Sequence, residues 1–199
     1  MTSTVGPRYP MHVFLNVGLL ALSVGGNAQA AEFNQVQPGK SSVSFGYKQM
    51  GVAMNGGFRR FDAHIAFDPA KVNAASAQIG IDLASIDTGS GEADAEVLGK
   101  QWFNTKLFPS AKFVSGSVHA LGGNRYEALG KLSIKGRTLD ISAPFTFKQV
   151  GNAGVFDGMF TLKRLDYAIG EGAWADVGTV ANEVQIKFHV EAGSAPAKK

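Results

Sequence analysis

Asp87-Thr88-Gly89 is the run in this chain that most invites a catalytic reading, since carboxylate hydrolases present an aspartate in such a triplet. That chemistry needs two carboxylates side by side sharing a proton. The triplet occurs once, so a second copy would have to come from a dimer. A turn explains it better, with Asp87 capping its own backbone and Gly89 taking a positive φ. Gly89-Ser90-Gly91 precedes a helix-like stretch and could cradle an anion. It lacks the lysine and the strand–loop–helix setting of a phosphate loop. His64, His119 and His189 lie far apart, with none of the close spacings of metal ligands. No serine sits in a Gly-x-Ser-x-Gly elbow. The chain has no cysteine, which excludes thiolate nucleophiles, disulfides, zinc fingers and iron–sulfur clusters. The expectation is a protein without catalysis, metal or cofactor.

The charge balance, 19 Lys and Arg against 16 Asp and Glu, does not point to nucleic acid. Basic residues are scattered, with no cluster beyond Arg59-Arg60, Lys163-Arg164 and Lys198-Lys199, where a nucleic-acid binder gathers them on one face. One cation stands apart. Arg164 shares its strand parity with Phe160 and Leu162, which points it inward. A buried guanidinium needs a partner, and Asp166 is the expected one, with a polar head group as the alternative.

Period two runs through most of the chain. Phe61, Ala63, Ile65 and Phe67 alternate with polar or small neighbours; so do Ala77, Ile79, Ile81 and Leu83. Leu139, Ile141, Ala143, Phe145 and Phe147 repeat the pattern, as do Val184, Ile186, Phe188 and Val190. Such alternation marks strands with one buried and one wet face. Asp68-Pro69, Gly122-Gly123-Asn124, Lys135-Gly136-Arg137 and Gly151–Gly154 punctuate them as turns. Only Gly91–Gly99 reads as helix, acidic early and closed by glycine. The prediction is an all-β fold: a sandwich or closed antiparallel barrel of about eight strands, with one short helical insertion. A barrel of that size either fills its interior with side chains or holds one small ligand.

The first thirty residues differ. Arg8 precedes an apolar run over residues 11–24, and Ala28-Gln29-Ala30 follows. The run is shorter than the ~20 residues a bilayer span needs. This order predicts a cleaved secretory leader over residues 1–30, a domain over 31–192 and a polar tail over 193–199. A secreted or periplasmic protein is expected.

Several short motifs follow one another in a specific order: Gly39–Phe45, Met50-Gly51, Gly57–Phe61, Phe67-Asp68-Pro69 and Ala84–Gly89. Then come Trp102-Phe103, Phe108–Phe113, Gly130–Gly136, Arg164–Gly170 and Val184-Gln185-Ile186. Together they resemble the YceI-like family across nearly all of the chain beyond the leader. The chain departs from the family in the helical turn. Ala93-Asp94 and Glu96-Val97 stand where the family often has Arg-Asp and His-Leu, so no role for that arginine or histidine carries over.

The resemblance implies a lipocalin-like barrel around an apolar tunnel that binds a polyisoprenoid or similar long-chain lipid without catalysis. An isoprenoid quinone is an expected cargo, and the alternative reading is a non-catalytic interaction or stress module partnering a membrane protein such as a cytochrome b561-type protein. A homodimer is a further expectation if a strand edge stays open. The expected walls are Phe45, Tyr47, Phe61, Ile65, Ile79, Ile81, Phe113, Leu132, Ile134, Phe145, Phe147, Phe160 and Leu162. Trp102, Phe103 and Phe108 are expected to close one end, and Arg164 to stand inside.

Overall fold

The structure, a computed structural model, describes residues 1–3 and 32–195. The leader expected over residues 1–30 falls almost wholly outside the described residues. Eleven strands build one curled antiparallel sheet. They are β1 (Glu32–Val36), β2 (Ser42–Gln49), β3 (Val52–Phe58), β4 (Phe61–Ala66), β5 (Ser76–Asp82) and β6 (Ile86–Asp87). After helix α1 (Gly91–Val97) come β7 (Ser110–Gly122), β8 (Arg125–Ile134), β9 (Arg137–Val150), β10 (Ala153–Lys163) and β11 (Glu183–Ala195). No helix among the described residues is long and apolar enough to cross a membrane.

The spatial order is β4-β5-β7-β8-β9-β10-β11-β2-β3-β6, with β1 added against β11. β1 also reaches the end of β4, where Phe33 and Phe67 exchange both backbone hydrogen bonds, at 2.8 and 3.2 Å. The sheet therefore curls into a partial barrel whose open side is bridged by its first strand.

The count exceeds the eight expected, for identifiable reasons. β6 has two residues, too short to show a period. β3 reads Val-Ala-Met-Asn-Gly-Gly-Phe, without alternation. β7 is rich in Gly and Ser, which hides its inward face of Ala111, Phe113 and Val118. β11 continues through Ala195, so the strand runs into the stretch expected to be tail. The tight hairpins follow the turn chemistry. Lys135 and Gly136 have φ of 48° and 75°, the pair of positive values a two-residue hairpin turn requires.

The interior has two unlike ends. At one end Phe67 is buried against Tyr126, Phe145, Phe147 and Phe156, with ring centroids 4.8–6.1 Å apart. Phe33, buried completely, packs against Phe147 with ring centroids 5.1 Å apart and planes tilted by 58°. Glycines admit these rings: a Cβ at Gly154 would lie 2.7 Å from the Phe147 ring. Toward the other end Leu83, Trp102, Leu132, Ile134, Leu162, Tyr167 and Ile169 form a second cluster, and it is hollow.

Phe67 is the centre of the filled end, so Phe67→Ala is expected to cost about 3–5 kcal/mol. Denaturant unfolding monitored by circular dichroism checks this. A change below about 1 kcal/mol would show that the aromatic end is not a tightly packed plug.

Candidate functional site

The hollow end holds a cavity of about 490 Å³, bounded by β2, β3, β5, β8, β10, β11 and α1. A narrower chamber of about 150 Å³ extends it toward the aromatic plug. Val43, Ile81, Ala111, Leu132, Phe160 and Ile186 wall both chambers and form the neck between them. The alternation of the strands places these apolar side chains together, because each turns the same face inward.

Fifteen of the seventeen residues expected at the site line this space. Phe45, Tyr47, Trp102, Phe103, Ile134, Leu162 and Arg164 line the larger chamber. Phe61, Ile65, Ile79, Phe113 and Phe145 line the smaller, and Ile81, Leu132 and Phe160 line both. Two lie elsewhere. Phe147 faces inward but is packed solid within the aromatic plug. Phe108 follows a turn in which its amide bonds to Asn104, and its ring covers the Gly136 hairpin from outside the cavity.

The roof is the segment from Arg164 to Asn182, and one side chain holds it. Arg164 is 1% exposed. Its Nε donates to the Ala181 carbonyl at 3.1 Å, and Nη1 to Ile169 and Gly170 at 2.9 and 3.2 Å. Nη2 donates to Trp174 and Val180, both at 2.7 Å. All five N–H donors are therefore taken by backbone carbonyls. Asp166 is not the partner, contrary to expectation, and no donor remains for a ligand's head group. Arg164 does point inward, as its parity indicated, but the strand pattern could not extend to Asp166, because β10 ends at Lys163 and a 3₁₀ turn begins at Arg164. Ala168 then takes φ of 55° and reverses the chain, bringing the carbonyls of residues 169 and 170 back onto the guanidinium. Burial pulls the guanidinium below its ordinary pKa, while the Asp176 carboxylate pushes it back up. The Trp102 ring lies 5.6 Å from its carbon, within cation–π reach.

Other bonds tie the roof to its surroundings. Lys135 Nζ donates to the Ala168 carbonyl at 2.6 Å and to Glu171 at 2.8 Å, and its cation holds the Glu171 carboxyl below its usual range. The amides of Gly170 and Glu171 both donate to Gln101. Met50 N donates to Thr179 O, joining the β2–β3 hairpin to the roof. Trp174 Nε1 donates to Glu96 Oε1 at 2.9 Å across the mouth, linking the roof to α1.

The mouth carries the polar lining: Gln49, Thr88, Ser90, Glu92 and Glu96. Thr88 donates from both its amide and its hydroxyl to Asp94, each at 2.7 Å. Ser90 caps α1 through the Ala93 amide. Sequence reasoning met Thr88 and Ser90 only as parts of a turn and a candidate anion cradle, and did not reach Gln49 at the end of β2, Glu92 and Glu96 on a helix with no buried face, or Trp174 and Val180 in the roof. Val184 and Ile186 had the right parity and were legible.

The triplet is a turn. Gly89 N donates to Asp87 Oδ1 at 3.1 Å, Gly89 has φ of 84°, and Arg59 bonds the same carboxylate at 2.7 Å. Arg59 above all holds the Asp87 carboxyl below its usual range. Of the chain's four histidines, the three among the described residues sit on the outer surface. His64 lies near Asp62, His119 bonds Ser117 at 3.0 Å, and His189 bonds Asp157 at 2.6 Å. Among the described residues no three His, Asp or Glu groups gather as a metal would need.

Arg164→Met would strand five carbonyls, and is expected to cost about 3–5 kcal/mol, the range for breaking a buried charge's contacts. Arg164→Lys, with three donors on one nitrogen, recovers only part of this. Thermal melts, with limited proteolysis of the 164–182 segment, check both. A melt unchanged in Arg164→Met would contradict the roof assignment.

Tyr167 is buried and its hydroxyl has no partner among the described residues. Burial, then the neighbouring Asp166, pushes its pKa up from 10.0 to about 12. The folded state thus favours the neutral phenol. This stability is complete below pH 10 and is lost as pH rises toward 12, up to about 3 kcal/mol. Tyr167→Phe is expected to be neutral or stabilising at pH 7 and to flatten the loss above pH 10. Unfolding curves across that range decide it; an unaltered alkaline limb would contradict the assignment.

The family model described as YceI-like domain matches residues 35–192. BcnA of Burkholderia cenocepacia is 45% identical, with a TM-score of 0.78 over 79% of this chain and 99% of that one. A polyisoprenoid-binding domain from Saccharophagus degradans shares the fold at 14% identity, with a TM-score of 0.63 over 84% of this chain and 99% of that one. A UPF0312 protein of Azotobacter vinelandii is 29% identical over 180 residues, covering 86% of this chain and 91% of its own. The order of motifs, the curled sheet and the family match agree: this chain belongs to the YceI-like domain family.

Proposed function

We propose that the protein is a non-catalytic carrier that holds a long-chain amphiphilic lipid, of the polyisoprenoid or isoprenoid-quinone class, inside its barrel. The observation that carries this reading is the two-chamber cavity, walled mostly by apolar side chains, with polar residues gathered at its mouth and with the Arg164 guanidinium under the roof already bonded to backbone carbonyls. A prenyl chain in water is poorly solvated, and burying it yields roughly 25 cal/mol per Å² of apolar surface. Area alone can therefore hold such a ligand, with few directional contacts. The aromatic plug sets the depth to which a chain can reach. The Saccharophagus domain, described as polyisoprenoid-binding, supports the same class of cargo. The leader-like start at residues 1–30 supports secretion to the periplasm, where a lipid needs such a carrier.

Both tryptophans of the chain, Trp102 and Trp174, line the larger chamber with ring centroids 5.3 Å apart. Their emission is a built-in reporter. Titration with prenyl quinones of increasing length is expected to change it saturably. Ala111→Phe places a ring in the neck, and is expected to weaken the longer chains by about tenfold while sparing the shortest, as overpacking of a filled space would. A wild-type protein whose emission responds to no prenyl quinone would overturn the carrier reading.

A further inference from the structure

The β2–β3 hairpin ends in a residue that its turn does not call for. Met50 and Gly51 have φ of 50° and 79°, the two positive values of a tight two-residue hairpin. Asparagine, aspartate or glycine take the first of these positions most readily, and other side chains are strained there. Methionine holds it instead, with its side chain in solvent. Met50 is 76% exposed, more than any large apolar side chain among the described residues except the terminal Met1.

Two valines join it. Val52, opposite Gln49 in the hairpin, is 61% exposed, and Val177 in the roof is 53% exposed. Hairpin and roof are bound together along their length. Met50 N donates to Thr179 O and Ala181 N to Lys48 O, each at 2.9 Å, with Gln49 paired to Val180 between them. Val177 stands in a pinned turn. The Asp176 carboxylate accepts from Gly178 N at 3.0 Å and from Thr179 Oγ1 at 2.8 Å, and the Asp176 carbonyl accepts from Val180 N at 3.2 Å. Gln49 and Val180 line the larger chamber. The exposed apolar side chains therefore border the mouth that a cargo must cross.

The surroundings say which partner fits. A stable protein interface engages about 20–30 residues a side, and this patch offers three. A bilayer needs only a tip to enter its headgroup and acyl boundary. Lys48, two residues before Met50, is exposed and has no carboxylate within 4.0 Å among the described residues. An ammonium on a long stem beside an apolar tip complements lipid phosphates, which it reaches as the tip inserts.

We infer that the β2–β3 hairpin tip and the Val177 turn dock on a lipid bilayer and set the cavity mouth against it. The inference rests on the carrier reading, because docking gives a cargo that water solvates poorly a direct path between bilayer and cavity. Glu92 and Glu96 line the same mouth and disfavour an anionic surface, so apolar insertion drives the docking and a zwitterionic bilayer suffices.

Flotation with phosphatidylcholine vesicles tests this. The protein is expected to float with them about equally at about 0.1 M and about 1 M salt, since screening acts on charges and not on apolar insertion. Met50→Asn combined with Val52→Thr is expected to weaken association by about tenfold, through the apolar area lost. Asparagine suits the turn and threonine the strand, so the hairpin keeps its fold. The chain has no cysteine, so single dyes can be placed at will. One on Met50→Cys reports the tip, and one on Val150→Cys reports the exposed β9–β10 hairpin at the opposite end of β10 from the roof. Vesicles are expected to shift the emission of the first to the blue and leave the second unchanged. No flotation, equal shifts at both ends, or undiminished flotation of the double variant would overturn the docking surface. A tip shift that rises with protein concentration in the absence of vesicles would also overturn it, since a second copy would then be the occupant. Tryptophan titration with a short prenyl quinone in water keeps the two readings apart. The double variant is expected to bind the quinone as wild type does; a parallel loss would place Met50 and Val52 in cargo binding and overturn their docking role. A flat wild-type response would overturn the carrier reading, while flotation and the dyes decide the docking surface independently.

Discussion

A guanidinium buried under a loop and held by five carbonyls is the constraint on which this molecule's hollow end depends. Arg164 bonds to residues 169, 170, 174, 180 and 181, so a single side chain closes most of the 164–182 segment around itself. That segment has only short 3₁₀ turns of its own. Its backbone groups would otherwise face a cavity that cannot satisfy them, at a cost of several kcal/mol. Arginine suits the task because its five donors lie in one rigid plane.

The same sheet produces a filled end and an empty one. Six rings, those of Phe33, Phe67, Tyr126, Phe145, Phe147 and Phe156, pack with paired centroids 4.8–6.5 Å apart, with glycine opposite where a Cβ would collide. Past the neck Ile, Leu and Val are the most numerous inward residues, and the roof covers the space they leave without filling it. The plug pays for the void: dense aromatic packing supplies the stability that a hollow barrel forgoes.

Alternation made the principal strands legible, because each has one wet face: β4, β5, β9 and β11 all read plainly. β7 did not, since Gly and Ser occupy positions where apolar residues would have shown the period. The walls were largely legible for the same reason, and the two misplaced residues show where parity stops being informative. Phe147 has the right parity, yet parity does not say how far along the barrel the filling ends. Phe108 lies in a turn, where parity has no meaning. Arg164 was visible as an inward cation, but its partners are backbone atoms of residues up to 17 positions away, which side-chain pairing rules cannot supply. The polar mouth comes from loops and α1, so only the folded chain brings it together.

The central claim is that a lipid fills the cavity. Native mass spectrometry of the protein released from cells without detergent, before and after organic extraction, addresses it directly. The predicted result is a protein mass with a discrete addition, lost on extraction, that behaves as a prenyl lipid. A bare protein mass before extraction, with no uptake of added prenyl lipid or quinone afterwards, would contradict it.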